Sequence, residues 1–179
     1  VAVLSGLSAH VYYHWLFDVL PRFHVLNQAL RLEGSDLNTI DFFVVNSVAK
    51  PFQRETLQIL GIPLEKVVES DRVPHLQADQ LVVPNFAGHL DWVPPSSMDF
   101  LRRAILGRQS KPGATVEQLG RRLYISRHKA KYRQVFNEDA VIELLSHFGF
   151  VSVALETLSV AEQAQLFAQA EAIVGAHGS

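Results

Sequence analysis

Gly120-Arg121-Arg122-Leu123-Tyr124-Ile125-Ser126-Arg127 opens the stretch that decides the fold, and Ile173-Val174-Gly175-Ala176-His177-Gly178-Ser179 closes it. Leu123-Tyr124-Ile125 is an aliphatic and aromatic run of strand length. Asn137 stands where a helix cap belongs, and the spacing after it predicts a helix to about His147. Phe150 to Leu155 reads as a second strand. Ser159 and Glu162 have the spacing of a capping box for a helix to about Ala170, and Ile173-Val174 reads as a third strand. Strand, helix, strand, helix, strand predicts a parallel sheet with crossover helices, an α/β fold.

Upstream the composition shifts. Gly, Gln, Ser, Lys and Pro cluster over residues 107–120, a linker that predicts two domains, 1–112 and 113–179. In the first, Val11, Leu16, Val19, Leu20, Phe23 and Leu26 recur at helical spacing over residues 9–31, where Pro21 predicts a kink or a break. Ile40 to Val45 reads as a buried strand. Pro51 to Leu60 reads as a helix with proline at its first turn and Gly61 as its stop. Val67-Val68 and Leu81-Val82-Val83 read as short strands, and Ser96-Ser97-Met98-Asp99 opens a helix that ends near Gly107.

Bulk properties narrow the function. The 179 residues are 48% hydrophobic and 19% charged, with 16 basic against 18 acidic side chains and a net charge of −2. That balance argues against disorder and against a nucleic-acid binder. No apolar run reaches the roughly 18 residues of a transmembrane helix. With no cysteine and no Asn-x-Ser/Thr acceptor, a cytoplasmic protein is expected. The chain begins at Val1 and ends in a turn that normally feeds a helix, so the expectation is a fragment cut inside a motif.

Three constellations carry chemistry. His10, His14, Asp18 and Arg22 lie four apart on an otherwise apolar and aromatic helix. Ionisable groups there are costly unless paired or functional. They form a structural His–Asp–Arg network, an acid/base pair facing a cleft, or a metal site. No Glu follows the first His as a zinc protease requires, which weakens the metal reading. Secondly, Arg121, Arg122, Arg127, Lys129, Lys131 and Arg133 crowd residues 121–133. They are a solvated charge run or an anion site, and Arg127 stands at the carboxyl end of a predicted parallel strand, where open α/β sheets bind ligands. Thirdly, the small residues from Gly175 to Ser179 let backbone N–H groups approach an anion. Glu156 and Ser159 follow the middle strand, where such folds hold a ribose or base, although Ser159 is better read as a cap.

Tyr12-Tyr13-His14-Trp15-Leu16-Phe17-Asp18-Val19-Leu20-Pro21-Arg22 resembles the N-terminal signature of glycosyltransferase family 61. Leu123 to Arg127, Arg133 and Asn137-Glu138 resemble a second block; Glu156 to Ser159, Glu162-Gln163, Leu166-Phe167, Ala170 and Ile173 to Gly178 resemble a third. Ser179 departs mildly, standing where Ala is commoner. The resemblance implies a bacterial member with a GT-B architecture, two Rossmann-like α/β/α domains across a cleft, the second one incomplete here. It implies an inverting transfer of a sugar, from a UDP-sugar donor to a hydroxyl of a glycan or protein acceptor, in polysaccharide biosynthesis. Localisation is then cytoplasmic or peripheral at the inner membrane. His14 and Asp18 are the expected catalytic pair, with Arg22 as support. Arg127, Arg133, Glu156, Gly175, His177 and Gly178 are expected to bind the donor. No cofactor is expected; the sequence has no Asp-x-Asp pair, and the need for a divalent metal is left open. The alternatives are a non-catalytic nucleotide- or polysaccharide-binding module and another GT-B enzyme such as a nucleotide-sugar epimerase.

Overall fold

A computed structural model describes residues 1–88, 92–107, 120–130 and 132–177. The chain divides into two compact units, Val1–Arg108 and Gln109–Ser179, each built on a small parallel sheet. Most of the 107–120 segment, together with His89, Lys131 and Gly178, lies outside the described residues.

In the first unit, β1 (Ala2–Val3), β2 (Phe43–Val45) and β3 (Val67–Glu69) are parallel, in the order β1-β2-β3. The expected strand at residues 81–83 shrinks to one parallel bridge, Val82 to Ala2, on the free side of β1. The strand order therefore reverses between β1 and Val82. Such a reversal point is where open α/β sheets place ligands, outside the carboxyl ends of the strands.

The long helix starts later than the spacing predicts, so His10 sits exposed in the preceding turn. It runs as α1 (Tyr12–His14), a π-helical turn (Trp15–Val19) and α2 (Leu20–Leu32) without a gap. Pro21 does not break it. The Leu20 N–H reaches back to the Trp15 carbonyl, and Pro21 falls in the first turn of α2, where a missing N–H is tolerated. Trp15, Val19, Leu20, Phe23 and Leu26 bury against Phe43, Val45 and Leu57 in one core. Each fully buried side chain of this size contributes roughly 1.5–3 kcal/mol.

Helix α3 (Pro51–Ile59) begins with its proline as expected, and Gly61 leaves it at φ 79°, in the left-handed region that favours glycine. Helix α4 (Pro95–Leu106) begins earlier than the Ser96-Ser97 pair predicts, with Pro94 as its cap and Ser97 buried inside it.

The second unit follows the predicted alternation. β4 (Arg122–Ile125) lies between β5 (Val151–Val153) and β6 (Ala172–Gly175), all parallel. Helices α5 (Glu138–Ser146) and α6 (Val160–Gln169) are the crossovers. At α6 the capping box forms: Ser159 Oγ accepts from the Glu162 N–H, and a Glu162 oxygen accepts from the Ser159 N–H at 2.8 Å. At α5 it does not: Asn137 contributes its carbonyl to Val141 N–H, with no side-chain cap. β5 is shorter than expected because the chain tightens into a 3-10 turn at Leu155–Thr157. Leu123, Ile125, Val153 and Leu166 form the buried core of this unit.

Candidate active site

The four-residue stripe on the long helix splits. His14 Nδ1 and Asp18 Oδ2 lie 2.7 Å apart, with 41% and 38% of their side chains exposed. Arg22 turns inward and is only 5% exposed. The π-helical turn between them adds a residue to the helical register, so spacing by four does not hold one face across it. Arg22, expected as support for the helix or Asp18, braces the helix against two loops. Arg22 Nε donates to the Pro84 carbonyl at 2.9 Å and an Arg22 terminal nitrogen donates to the Ser5 carbonyl. Ser5 follows β1 and Pro84 follows the Val82 bridge, so one guanidinium joins both sides of the reversal point. The Phe86 ring lies under it, 4.8 Å from ring centre to guanidinium carbon. Burial lowers the Arg22 pKa from its ordinary value.

Neighbouring residues hold this helix and the turn before it to α3, and their partners Gln53, Thr56 and Phe52 were not singled out by the sequence. Trp15 Nε1 donates to Thr56 Oγ1 at 2.8 Å, and Gln53 Nε2 donates to the Ala9 carbonyl at 3.2 Å. The Tyr12 ring packs edge-on against Phe52, with 5.1 Å between centroids. Burial, and then the charge of Glu55, push the Tyr12 hydroxyl up to about 12. Asn46, directly after β2, accepts from the Gly6 N–H at 2.8 Å and so ties the β1 loop to the same edge. Its position after a buried β-branched strand was the available signal.

The cation cluster of the second unit also divides. Arg121 pairs with Glu171 at 3.3 Å and Arg122 donates to the Phe148 carbonyl, both beside the amino end of β4. Arg127 and Arg133 follow its carboxyl end. Ile125 is in register with Val153 and Gly175, so Arg127, Glu156 and His177 leave the sheet at one edge. Strand order reverses between β4 and β6, the second switch point of the molecule. Glu156, Gly175 and His177 are exposed there; Gly178 lies outside the described residues.

Glu138 organises this edge and was read only as part of a sequence block. Buried, it accepts from the Arg127 N–H at 2.6 Å and from the Tyr124 hydroxyl at 3.1 Å. Burial and this acceptor raise the Tyr124 pKa. An Arg127 terminal nitrogen donates to the Tyr132 carbonyl at 2.8 Å, whereas its buried Nε–H has no partner among the described residues. An arriving anionic oxygen would satisfy that donor. Arg133 is exposed and holds a left-handed backbone at φ 55°, a conformation that non-glycine residues adopt at some cost.

Among the described residues no group of three or more His, Asp or Glu side chains is placed to hold a metal ion. No helix among them is long and apolar enough to cross a membrane.

The sequence description of Glycosyltransferase 61 matches residues 12–179, which include the helix of the His14–Asp18 pair and the whole sheet of the second unit. The chain belongs to glycosyltransferase family 61. A family 61 domain is a transferase domain: a glycosyl group leaves a donor and joins an acceptor. No curated protein and no solved structure matches the chain. Within this family 61 chain the matched region begins at Tyr12, on the helix that carries His14 and Asp18.

Proposed function

We propose that the protein is an inverting glycosyltransferase that moves a sugar from a UDP-sugar to a hydroxyl of a glycan or protein acceptor. The observation that carries this reading is the half-exposed His14–Asp18 pair, 2.7 Å apart, on the helix of a family 61 domain. With Nδ1–H donated to the carboxylate, the imidazole keeps Nε2 as its proton acceptor. His14 is then the base and Asp18 orients it and steadies the imidazolium. The acceptor hydroxyl gives its proton to Nε2 as its oxygen bonds to the anomeric carbon. The bond from that carbon to the phosphate oxygen breaks, and UDP leaves with the electron pair. One displacement inverts the anomeric centre.

The donor half of the proposal rests on the second switch point. Arg127, whose Nε–H has no partner among the described residues, Arg133 and the backbone N–H groups after Gly175 would meet the diphosphate as its charge grows. His177, at the same edge, and Gly178, which follows it in the sequence, would add to this contact, and Glu156 would meet the ribose. A GT-B fold class is part of this proposal.

A thermal-shift screen against UDP, GDP, CMP and their sugar conjugates tests it. A ligand at 100 times its Kd is expected to stabilise the native state by about 2.7 kcal/mol. A selective response to the UDP series supports the reading; a flat response from well-folded protein sinks it.

A further inference from the structure

Tyr13 and Phe17 stand one helical turn apart beside the catalytic pair, with ring centroids 4.9 Å apart and planes tilted by 52°. The Tyr13 ring also meets the His14 imidazole edge-on, at 5.4 Å and 87°. Phe17 is half-buried and rests on the core, so it is a fixed support. Tyr13 leans on it and keeps 52% of its surface in water. Its neighbour Tyr12 does the opposite, packing inward on Phe52. The tyrosine pair is thus divided: one ring anchors the helix, and the other is held open by that anchoring.

Leaving a supported aromatic ring in water forfeits its burial energy, roughly 25 cal/mol per Å². An open ring beside a His–carboxylate pair offers an apolar face and a polar rim together, the mixture typical of small-molecule sites. A pyranose has the matching surface. Its axial C–H bonds form an apolar face, and its hydroxyls point outward from the rim. We propose that Tyr13, backed by Phe17, is the stacking platform for the acceptor's terminal sugar ring. The ring lies on Tyr13 and one rim hydroxyl meets His14. The acceptor is then a glycan; a serine or threonine hydroxyl on a peptide brings no ring to fill this surface. The inference rests on the catalytic reading of His14 and Asp18, and adds to it the class of acceptor.

The test uses ligand-observed saturation-transfer NMR on the full chain with methyl β-xyloside, β-galactoside, β-glucoside, α-mannoside and β-N-acetylglucosaminide. At least one glycoside is expected to show transfer to its ring C–H protons. Tyr13→Ala is expected to reduce that signal at least fivefold, and Tyr13→Phe to keep it. Tyr13→Leu, which retains apolar bulk without a ring, is expected to lose it as well. The thermal shift given by UDP is expected to be the same in all three variants. The proposal is overturned if no glycoside shows transfer to folded wild-type protein, or if the signal survives Tyr13→Ala. It is also overturned if the UDP shift disappears together with the glycoside signal, because the ring would then be stacking the donor. The base assignment is read separately, from turnover of His14→Ala, so a failure of the platform and a failure of the base are told apart.

Discussion

Arg22 donates from Nε to the carbonyl of Pro84 at 2.9 Å, across the point where strand order reverses in the first unit. The same side chain donates to the Ser5 carbonyl on the other side of that point. Two loops that leave the sheet on either side of the switch are therefore held by one buried cation. Arg22→Ala would leave both carbonyls without this donor and is expected to lower unfolding stability by about 3 kcal/mol. Arg22→Lys, which has no fork, is expected to recover only part of that. Urea unfolding of the two variants checks the order; equal stability of Arg22→Lys and wild type would contradict the forked brace.

Glu138 links the Tyr124 hydroxyl to the Arg127 backbone. Glu138→Ala leaves two buried donors without an acceptor and is expected to cost about 2–3 kcal/mol. It also frees the loop that carries Arg127, so the UDP-induced thermal shift is expected to fall more than the melting temperature alone explains. Tyr124→Phe removes one of the two bonds and is expected to cost about 1 kcal/mol while leaving the UDP shift in place.

The Ser159–Glu162 box closes the amino end of α6. Ser159→Ala is expected to cost about 1 kcal/mol. The Ser159 N–H, and then its hydroxyl, hold the Glu162 carboxyl below its ordinary value of 4.5. A carboxyl depressed in the folded state adds stability above its unfolded pKa, and loses it as pH falls through the folded one. Ser159→Ala removes the hydroxyl but keeps the larger backbone bond, so it is expected to flatten the acid limb of the stability curve only in part, measured by denaturant titration below pH 5.

Tyr12 gives a signal at the other end of the pH scale. Its hydroxyl is pushed up from 10.0 to about 12, first by burial and then by Glu55. The unfolded chain releases that proton before the folded one does, so stability is expected to fall as pH rises from about 10 to about 12. Tyr12→Phe is expected to make that alkaline limb shallower, by circular dichroism melts across the range.

The second unit was readable because its cues are local and agree with one another. Leu123-Tyr124-Ile125, the Ser159 cap and Ile173-Val174 each name an element, and the parallel sheet follows from their alternation. The first unit was read less completely. Val82 makes a single bridge, because apolar strand propensity at Leu81-Val82-Val83 does not supply partners for a full ladder. The π-helical turn at Trp15–Val19 has no composition signal. Without it, spacing by four puts Arg22 on the stripe of His14 and Asp18, whereas Arg22 is buried between two loops. Charge density in the sequence likewise placed Arg121 and Arg122 with Arg127, though a strand separates them in space. Site residues adjacent to strand ends were legible; partners that come from elsewhere in the chain, Pro84 and Thr56 among them, were not.

Chelation bears on the donor site. Arg127 and Arg133 carry the charge that meets the leaving diphosphate in the proposed step, and the sequence has no Asp-x-Asp pair. Turnover is therefore expected to change by less than about twofold when EDTA is added. A loss greater than that, restored by a divalent ion, would assign that charge to a metal.

The most direct measurement is turnover of His14→Ala and Asp18→Asn in the full chain, with the UDP thermal shift recorded on the same samples. A positioned base is worth about 10²–10⁴ in rate. Both variants are expected to lose turnover in that range while keeping the UDP shift and the fold. Turnover of His14→Ala within about threefold of wild type would contradict the assignment of the His14–Asp18 pair as the catalytic base, since a lost base costs at least about a hundredfold.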